Sequence, residues 1–276
     1  MNLKIYREYG ALNSVPIFDA FTKGAIRAGF NIVNSNEDVA VIWSVLWQGR
    51  MERNKEVYYQ MLEKHKPVII VEVGNLKRGT TWRISVGNIN GNGLFNNTDN
   101  LDILRPTKLN VSLQEAKVAR LPEILIATQH QLSLQWHGQP SMEEWTIQTI
   151  NQIKQHTDRK IIVRPHPRSP FKKQIAGAII EIPKKISGTY DDFNINYNYH
   201  SVVNFNSGPA VQSAIQGVPI VCDSSSLAYP VSDILSNIET PTLPDRTDWF
   251  LKLCHTEWTV DEIMQGIPLD RIKEIL

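Results

Sequence analysis

Ile161-Ile162-Val163-Arg164-Pro165-His166-Pro167-Arg168 and Val202-Val203-Asn204-Phe205-Asn206-Ser207-Gly208 are the two stretches whose reading decides the fold. Each opens as a short, wholly apolar run, the kind of strand buried on both faces of a parallel sheet. The first run stops at two prolines that bracket a histidine, with an arginine on either side. The second stops at Ser-Gly-Pro, turns into a helix over 209–217, and is followed by a further strand, Val218-Pro219-Ile220-Val221-Cys222. Proline suits the first turn of that helix, where a missing N–H costs nothing. The N–H groups there, with Ser207 and Gly208, form an anion site. Two arginines, a histidine and a helix N-terminus at neighbouring strand ends are a set suited to a nucleotide diphosphate. The purely structural alternative is a strand-ending turn and a helix cap, each without a ligand.

Upstream, the same rhythm of strand and helix repeats. Leu3-Lys4-Ile5-Tyr6 reads as a first strand, and Pro16 to Ala28 as an amphipathic helix stopped by Gly29. Phe30 to Val33, Asp38 to Trp43 and Pro67 to Val71 follow as strands, with a helix over Met51 to His65. Strands alternating with helices predict an open parallel sheet, whose ligands sit beyond the carboxyl ends of the strands. The loops to examine are therefore Arg7 to Ser14, Ser44 to Arg50 and Glu72 to Trp82. The last of these joins a carboxylate, two bases, two glycines, hydroxyls and a tryptophan. Its structural alternative is a Glu72 that only pairs with Lys77 or Arg78. Arg83 to Asn100, rich in glycine and asparagine, reads as a long acceptor-side loop. Leu101 to Leu121 is the connection to a second domain, with Arg105-Pro106 as a turn and Ser112 as a helix start.

Glu123 to Thr128 reads as the opening strand of that domain and leads into the polar loop Gln129 to Gly138. Ser141, with Glu144 three residues on, makes a capping box for a helix reaching about His156. Ala178 to Pro183 reads as a strand. Lys172 and Lys173 suit a solvated helix face. Tyr190, Phe193, Tyr197 and Tyr199 either cover a base ring or pack. Asp223, just past a strand end, either binds ribose hydroxyls or caps a helix. The tail from Asp248 to Thr259 reads as helix, turn and capped helix.

The Arg-Pro-His-Pro-Arg strand end followed by the Asn-Ser-Gly-Pro helix start resembles the C-terminal half of GT-B glycosyltransferases. The resemblance is to the branch with capsule-polysaccharide and Kdo-type transferases and several phage-encoded enzymes, over roughly Glu123 to Leu276. It implies an α/β protein of two Rossmann-like domains facing a cleft. Residues 1–110 would be the acceptor side, 111–248 the nucleotide-sugar side, and 249–276 helices crossing back, with Trp249 and Trp258 as anchors. It implies donor contacts from Arg164, His166, Arg168, Ser207, Gly208, His130, Ser133 and Asp223. The reaction implied is sugar transfer from a nucleotide-sugar, a UDP-sugar first, to an acceptor hydroxyl. Charge developing on the departing diphosphate is met by Arg164, Arg168, His166 and the N–H groups at Ser207 and Gly208, with no cofactor required. No Asp-x-Asp pair of the metal-holding type is present. The acceptor needs a base, with Glu72 the first choice and Glu8 the second.

The acceptor side, with Trp47 and the Glu72 to Trp82 loop, is similar to small phage-encoded transferases that decorate hydroxymethylated pyrimidines. That resemblance implies double-stranded DNA as partner, gripped through Tyr9, Gly10, Trp47, Arg50, Lys77, Arg78 and Trp82, with a tryptophan stacking on or replacing a flipped base. A net charge of only +1 speaks against a general nucleic-acid field. The rival readings are a capsule or lipopolysaccharide transferase acting on a sugar, a nucleotide-sugar epimerase, or a non-catalytic nucleotide-binding module.

Composition sets the outer bounds. At 276 residues, 42% hydrophobic and 21% charged, the chain can bury one large or two small cores. The two cysteines, Cys222 and Cys254, lie in apolar surroundings without metal-ligand spacing and read as free thiols of a reducing compartment. No run approaches the ~18 apolar residues of a membrane span. A cytoplasmic protein is expected, in the host cytoplasm if phage-encoded.

Overall fold

The computed structural model describes residues 1–171, 174–187 and 193–276. Lys172, Lys173 and Tyr190, read above as a solvated face and a ring cover, lie outside the described residues. Along the chain the strands are β1 (Asn2–Ile5), β2 (Asn31–Ile32), β3 (Val39–Trp43), β4 (Val68–Val73), β5 (Trp82–Val86), β6 (Leu121–Ala127) and β7 (Ile161–Arg164). Then follow β8 (Ile179–Ile180), β9 (Lys184–Lys185), β10 (Phe193–Asn194), β11 (Tyr199–Asn204), β12 (Ile220–Cys222) and β13 (Glu257–Trp258). The helices are α1 (Val15–Arg27), α2 (Asn54–Glu63), α3 (Arg105–Lys108), α4 (Met142–Ile153), α5 (Gly208–Ile215), α6 (Thr247–Cys254), α7 (Val260–Gln265) and α8 (Ile267–Ile272). Among the described residues no helix is long and apolar enough to cross a membrane.

The chain divides into two compact Rossmann-like α/β units. The first comprises Met1–Val111, Leu132–Gln135 and Leu251–Leu276; the second comprises Ser112–Gln131 and Trp136–Phe250.

The sheet of the first unit runs β13-β5-β4-β3-β1-β2. Strands β2, β1, β3 and β4 are parallel, and β5 and β13 close one side antiparallel. All five residues of β3 are buried, as a central parallel strand requires. Helix α1 has proline in its first turn and buries Ile17, Phe18, Phe21 and Ala25 in one core with Leu3, Val41 and Ile69. That core includes Trp258 and Ile263 from the C-terminal segment. Helix α7 lies so close to α1 that a Cβ on Gly24 would stand 1.9 Å from the Ile263 carbonyl oxygen. Only glycine permits that approach.

Three expectations are corrected in this unit and the connection that leaves it. Trp82–Val86 is strand β5, so the glycine-rich loop begins only at Gly87. Trp82, Ile84 and Val86 alternate into the core, and β5 is fixed by pairing with both β4 and β13. The pair Glu257–Trp258 is a strand where a turn was expected; the Thr259–Glu262 capping box starts α7 immediately after it. The connection holds α3 at Arg105–Lys108, and no helix begins at Ser112.

His255 pins the start of this connection. Its Nδ1 donates to the Leu251 carbonyl at 2.8 Å, and its Nε2 accepts from the Asp102 N–H at 3.0 Å. A protonated ring could not accept that bond. Burial holds its pKa below the ordinary histidine value. The unfolded chain therefore takes up the proton first: this contribution to stability is complete above about pH 6.5 and is lost as pH falls below it, at no more than about 1.4 kcal/mol per pH unit. His255→Gln keeps an acceptor but cannot titrate. Its melting temperature is expected to fall less than the parent's between pH 7.5 and 5.5; parallel curves would remove His255 from the acid sensitivity.

The second unit's sheet runs β12-β11-β6-β7-β8, all parallel. Strand β6 is central. The chain steps outward through β7 and β8, then returns to lay β11 and β12 on the other side of β6. The strand order therefore reverses between β6 and β11. Helix α4 opens on the expected capping box: Glu144 N donates to Ser141 Oγ at 3.2 Å and Ser141 N to Glu144 Oε2 at 3.0 Å. Ile150 and Ile153 bury that helix against Ile124, Ile126 and Val163.

Candidate functional site

In the second unit, the carboxyl ends of β6, β7 and β11 meet where the strand order reverses, the usual ligand position in such a sheet. Side-chain amides hold the ends together. Asn204 Nδ2 donates to the Ala127 carbonyl at 2.7 Å, and Asn206 N donates to Gln129 Oε1 at 3.2 Å. Thr128 Oγ1 accepts from His166 N at 3.1 Å, which ties the end of β6 to the turn after β7. Phe205 anchors the turn after β11 edge-on to Trp136, ring centroids 4.9 Å apart.

These tethers bring His130 and His166 together, their rings edge to face with centroids 5.3 Å apart. His166 Nδ1 accepts from Arg168 N at 3.2 Å, so the neutral ring carries its proton on Nε2. His130 is buried; that burial, and then the positive charge of Arg168, hold its pKa below the ordinary value. Arg168 is exposed. Ser207 is the N-cap residue of α5, yet its hydroxyl does not cap the helix. Instead Ser207 N donates to Asn204 Oδ1 at 2.8 Å, and Asn204 Nδ2 donates to Ser207 Oγ at 3.0 Å. The Ser207 side chain thus leaves the N–H groups of the first turn of α5 uncapped, the arrangement that favours an anion.

Three of the expected donor residues take other places. Arg164 is buried at the end of β7 and reaches Glu181 Oε1 at 2.8 Å and the hydroxyl of Tyr199 at 3.3 Å. Tyr199 opens β11, so the guanidinium is drawn back along the sheet rather than out past the strand end. The Tyr197 and Tyr199 rings each lie 5.6 Å from it, so these tyrosines pack against an arginine. Ser133 belongs to the first unit, where it bridges Leu46. Asp223 accepts from Ser225 N at 2.9 Å and Ser225 Oγ at 2.5 Å, a local turn just after β12. Gln129 was missed in the sequence. It is only 3% exposed; its oxygen takes the Asn206 N–H, and among the described residues its amide nitrogen has no hydrogen-bond partner. No motif singled it out; only the tether to Asn206 does.

In the first unit the order reverses between β1 and β3. Buried Asn54 spans that point, donating to the carbonyls of Tyr9 at 3.2 Å and Trp43 at 2.7 Å. Gly10 is close-packed there: an added Cβ would stand 2.3 Å from Ser14 Oγ. Tyr9 stacks on Tyr6 with ring centroids 6.0 Å apart, and Glu8 is exposed. Glu72, partly buried on β4, receives Ser44 Oγ on one carboxylate oxygen at 2.6 Å and Val73 N on the other at 2.9 Å. It has no ion pair with Lys77 or Arg78, both of which are exposed along with Arg50. The loop between β4 and β5 is organised by fully buried Glu257. Its carboxylate accepts from Asn75 N at 2.5 Å, Leu76 N at 3.0 Å and Thr81 Oγ1 at 2.8 Å. Desolvation raises its pKa despite the nearby Arg83 charge.

The two tryptophans expected to stack on a base are core residues. Trp47 packs with Tyr58 and Tyr59, centroids 5.8 and 5.7 Å away, and Trp82 joins the central core. Among the described residues no group of three or more His, Cys, Asp or Glu side chains is placed to hold a metal ion.

No protein-family model matches the chain, and no curated protein matches it. Among solved structures, the β-Kdo 2,7-transferase of KpsC from Thermosulfurimonas dismutans superposes with a TM-score of 0.52 at 10% identity. That match covers 100% of this chain and 99% of the other. The β-Kdo 2,4-transferase of the same KpsC gives a TM-score of 0.54 at 10% identity, over 91% of this chain and 89% of that one. At such identity the likeness is one of fold: a two-domain α/β architecture of the GT-B type.

Proposed function

We propose that this protein is a glycosyltransferase that moves a sugar from a nucleotide-sugar to an acceptor hydroxyl. The observation that carries the reading is the convergence of His130, His166, Arg168 and the open first turn of α5 at the strand-order reversal of the second unit. The group is rich in donors and cationic at Arg168, which suits the diphosphate of a donor such as a UDP-sugar. As the bond between the anomeric carbon and the diphosphate oxygen breaks, His166 Nε2–H, Arg168 and the α5 N–H groups meet the charge that develops on the leaving oxygen. The acceptor oxygen bonds to the anomeric carbon and passes its proton to Glu72, with exposed Glu8 the weaker candidate. Arg164 and Asp223 are engaged by Glu181 and Ser225, and Ser133 belongs to the first unit; none of the three takes part in this assignment.

The acceptor is assigned as a saccharide hydroxyl. A flipped base needs an accessible aromatic platform, and Trp47 and Trp82 are 7% and 9% exposed, packed into cores. Two structures of like fold carry the names of Kdo transferases, enzymes of saccharide chemistry. Arg50, Lys77, Arg78 and the main chain at Tyr9–Gly10 are left as acceptor contacts, suited to an acidic sugar.

A thermal-shift screen of UDP-, GDP- and CMP-sugars, followed by turnover with acidic saccharides and with hydroxymethylcytosine DNA, tests both parts. At least one nucleotide is expected to raise the melting temperature. Arg168→Ala is expected to weaken its binding about 10- to 100-fold, the size of a lost charge-assisted hydrogen bond. No stabilisation by any nucleotide would overturn the donor assignment. A mass gain on the modified DNA alone would overturn the saccharide acceptor.

A further inference from the structure

Ser44 stands one residue beyond β3 with φ at +63°, a left-handed conformation that serine seldom adopts. It is 4% exposed. Its N–H donates to the Val71 carbonyl at 2.8 Å, so the pairing of β3 with β4 runs one step past the strand and brings Ser44 beside Glu72. The hydroxyl accepts from Leu46 N at 3.1 Å, and its single proton goes to Glu72 Oε2 at 2.6 Å. Val73 N takes the other carboxylate oxygen at 2.9 Å. One donor on each oxygen fixes the carboxylate plane and leaves each oxygen a second lone pair for an incoming hydroxyl. An extended backbone at Ser44 would swing the hydroxyl away, so the strained φ is what aims it.

We propose that Ser44 is the positioning residue of the acceptor-activating base. The inference rests on the assignment of Glu72 as that base. Ser44 touches no reacting atom; it acts by holding the lone pair of Glu72 in one direction. Its loss therefore lowers kcat while leaving donor KM in place, a split that a merely structural serine would not give.

The test compares Ser44→Ala, Ser44→Gly and Glu72→Gln by the separate kcat and KM of a nucleotide-sugar found to be turned over. Glycine takes φ +63° without strain, so Ser44→Gly keeps the backbone and loses only the hydroxyl. Both serine variants are expected to lose about 10- to 100-fold in kcat, with donor KM within about twofold. Should Ser44→Ala fail to fold, Ser44→Gly alone decides. Parent-like kcat in Ser44→Gly, beside an inactive Glu72→Gln, would overturn the role of Ser44 and leave Glu72 standing. Parent-like turnover by Glu72→Gln would instead overturn the base assignment and this proposal with it.

Discussion

Glu72→Gln is expected to bind the donor nucleotide as tightly as the parent and to turn over at least ~100-fold more slowly. The carboxylate is met by two donors, Ser44 Oγ–H at 2.6 Å and Val73 N–H at 2.9 Å. An amide can satisfy only one of them with its oxygen and must turn its own NH₂ toward the other. The variant therefore loses its basic atom and one hydrogen bond, and a stability loss of about 1–2 kcal/mol accompanies the loss of turnover. Glu72→Asp retains a base but withdraws it from both donors, and should recover part of the rate. The decisive comparison is single-turnover rate against nucleotide affinity, measured on the same preparations. A rate within tenfold of the parent at unchanged affinity would remove Glu72 from the chemistry and turn attention to Glu8.

The parallel sheets were readable because their strands are runs that need no partner to identify them. Val39–Trp43 and Ile161–Val163 are too apolar and too short for anything but buried strands, and prolines and glycines mark where they stop. The histidine, Arg168 and the start of α5 were readable for the same reason: strand end, turn and helix start lie within a few residues of one another. What escaped was set by distant contacts. Strand β13 is two residues long and exists because Trp82 and Arg83 pair with it. Trp82 looked like a loop aromatic because local sequence shows its polar neighbours and not the C-terminal segment that covers it. Arg164 looked like a phosphate ligand because Glu181 and Tyr199, its partners, lie 17 and 35 residues further on. Gln129 and Glu257 carry no motif at all. Each is defined by the backbone N–H groups it receives, and those are fixed only once the chain has folded.

Arg105 shows the same gap at its widest and carries the largest expected loss of stability. Sequence suggests a turn at Arg105-Pro106; the structure buries the side chain to 5% exposure and spends its whole fork on the C-terminal segment. Nε donates to the Cys254 carbonyl at 2.8 Å, Nη2 to the Glu257 carbonyl at 2.6 Å, and both terminal nitrogens to the Glu262 carboxylate. The guanidinium also lies 4.3 Å over the Trp258 ring. Burial alone would raise the Glu262 pKa, but Arg105 and the Thr259 cap outweigh it and hold the carboxyl below the usual range. Arg105→Ala strands that carboxylate and two buried carbonyls, and is expected to cost about 3–5 kcal/mol. Arg105→Lys keeps the charge but not the fork, and should lie between alanine and the parent. The pH dependence separates ion pairing from packing. With the folded pKa of Glu262 depressed, the stability it contributes is present above about pH 4.5 and is lost as pH falls through the folded value. The deficit of Arg105→Ala relative to the parent should therefore hold from pH 7 to about pH 4.5 and shrink below it, in urea unfolding followed by tryptophan fluorescence. A deficit below about 1 kcal/mol at pH 7 would mean that packing of β13 and α7 alone holds the segment. A full-sized deficit that ignores pH would assign the loss to the two carbonyls and the Trp258 face rather than to Glu262.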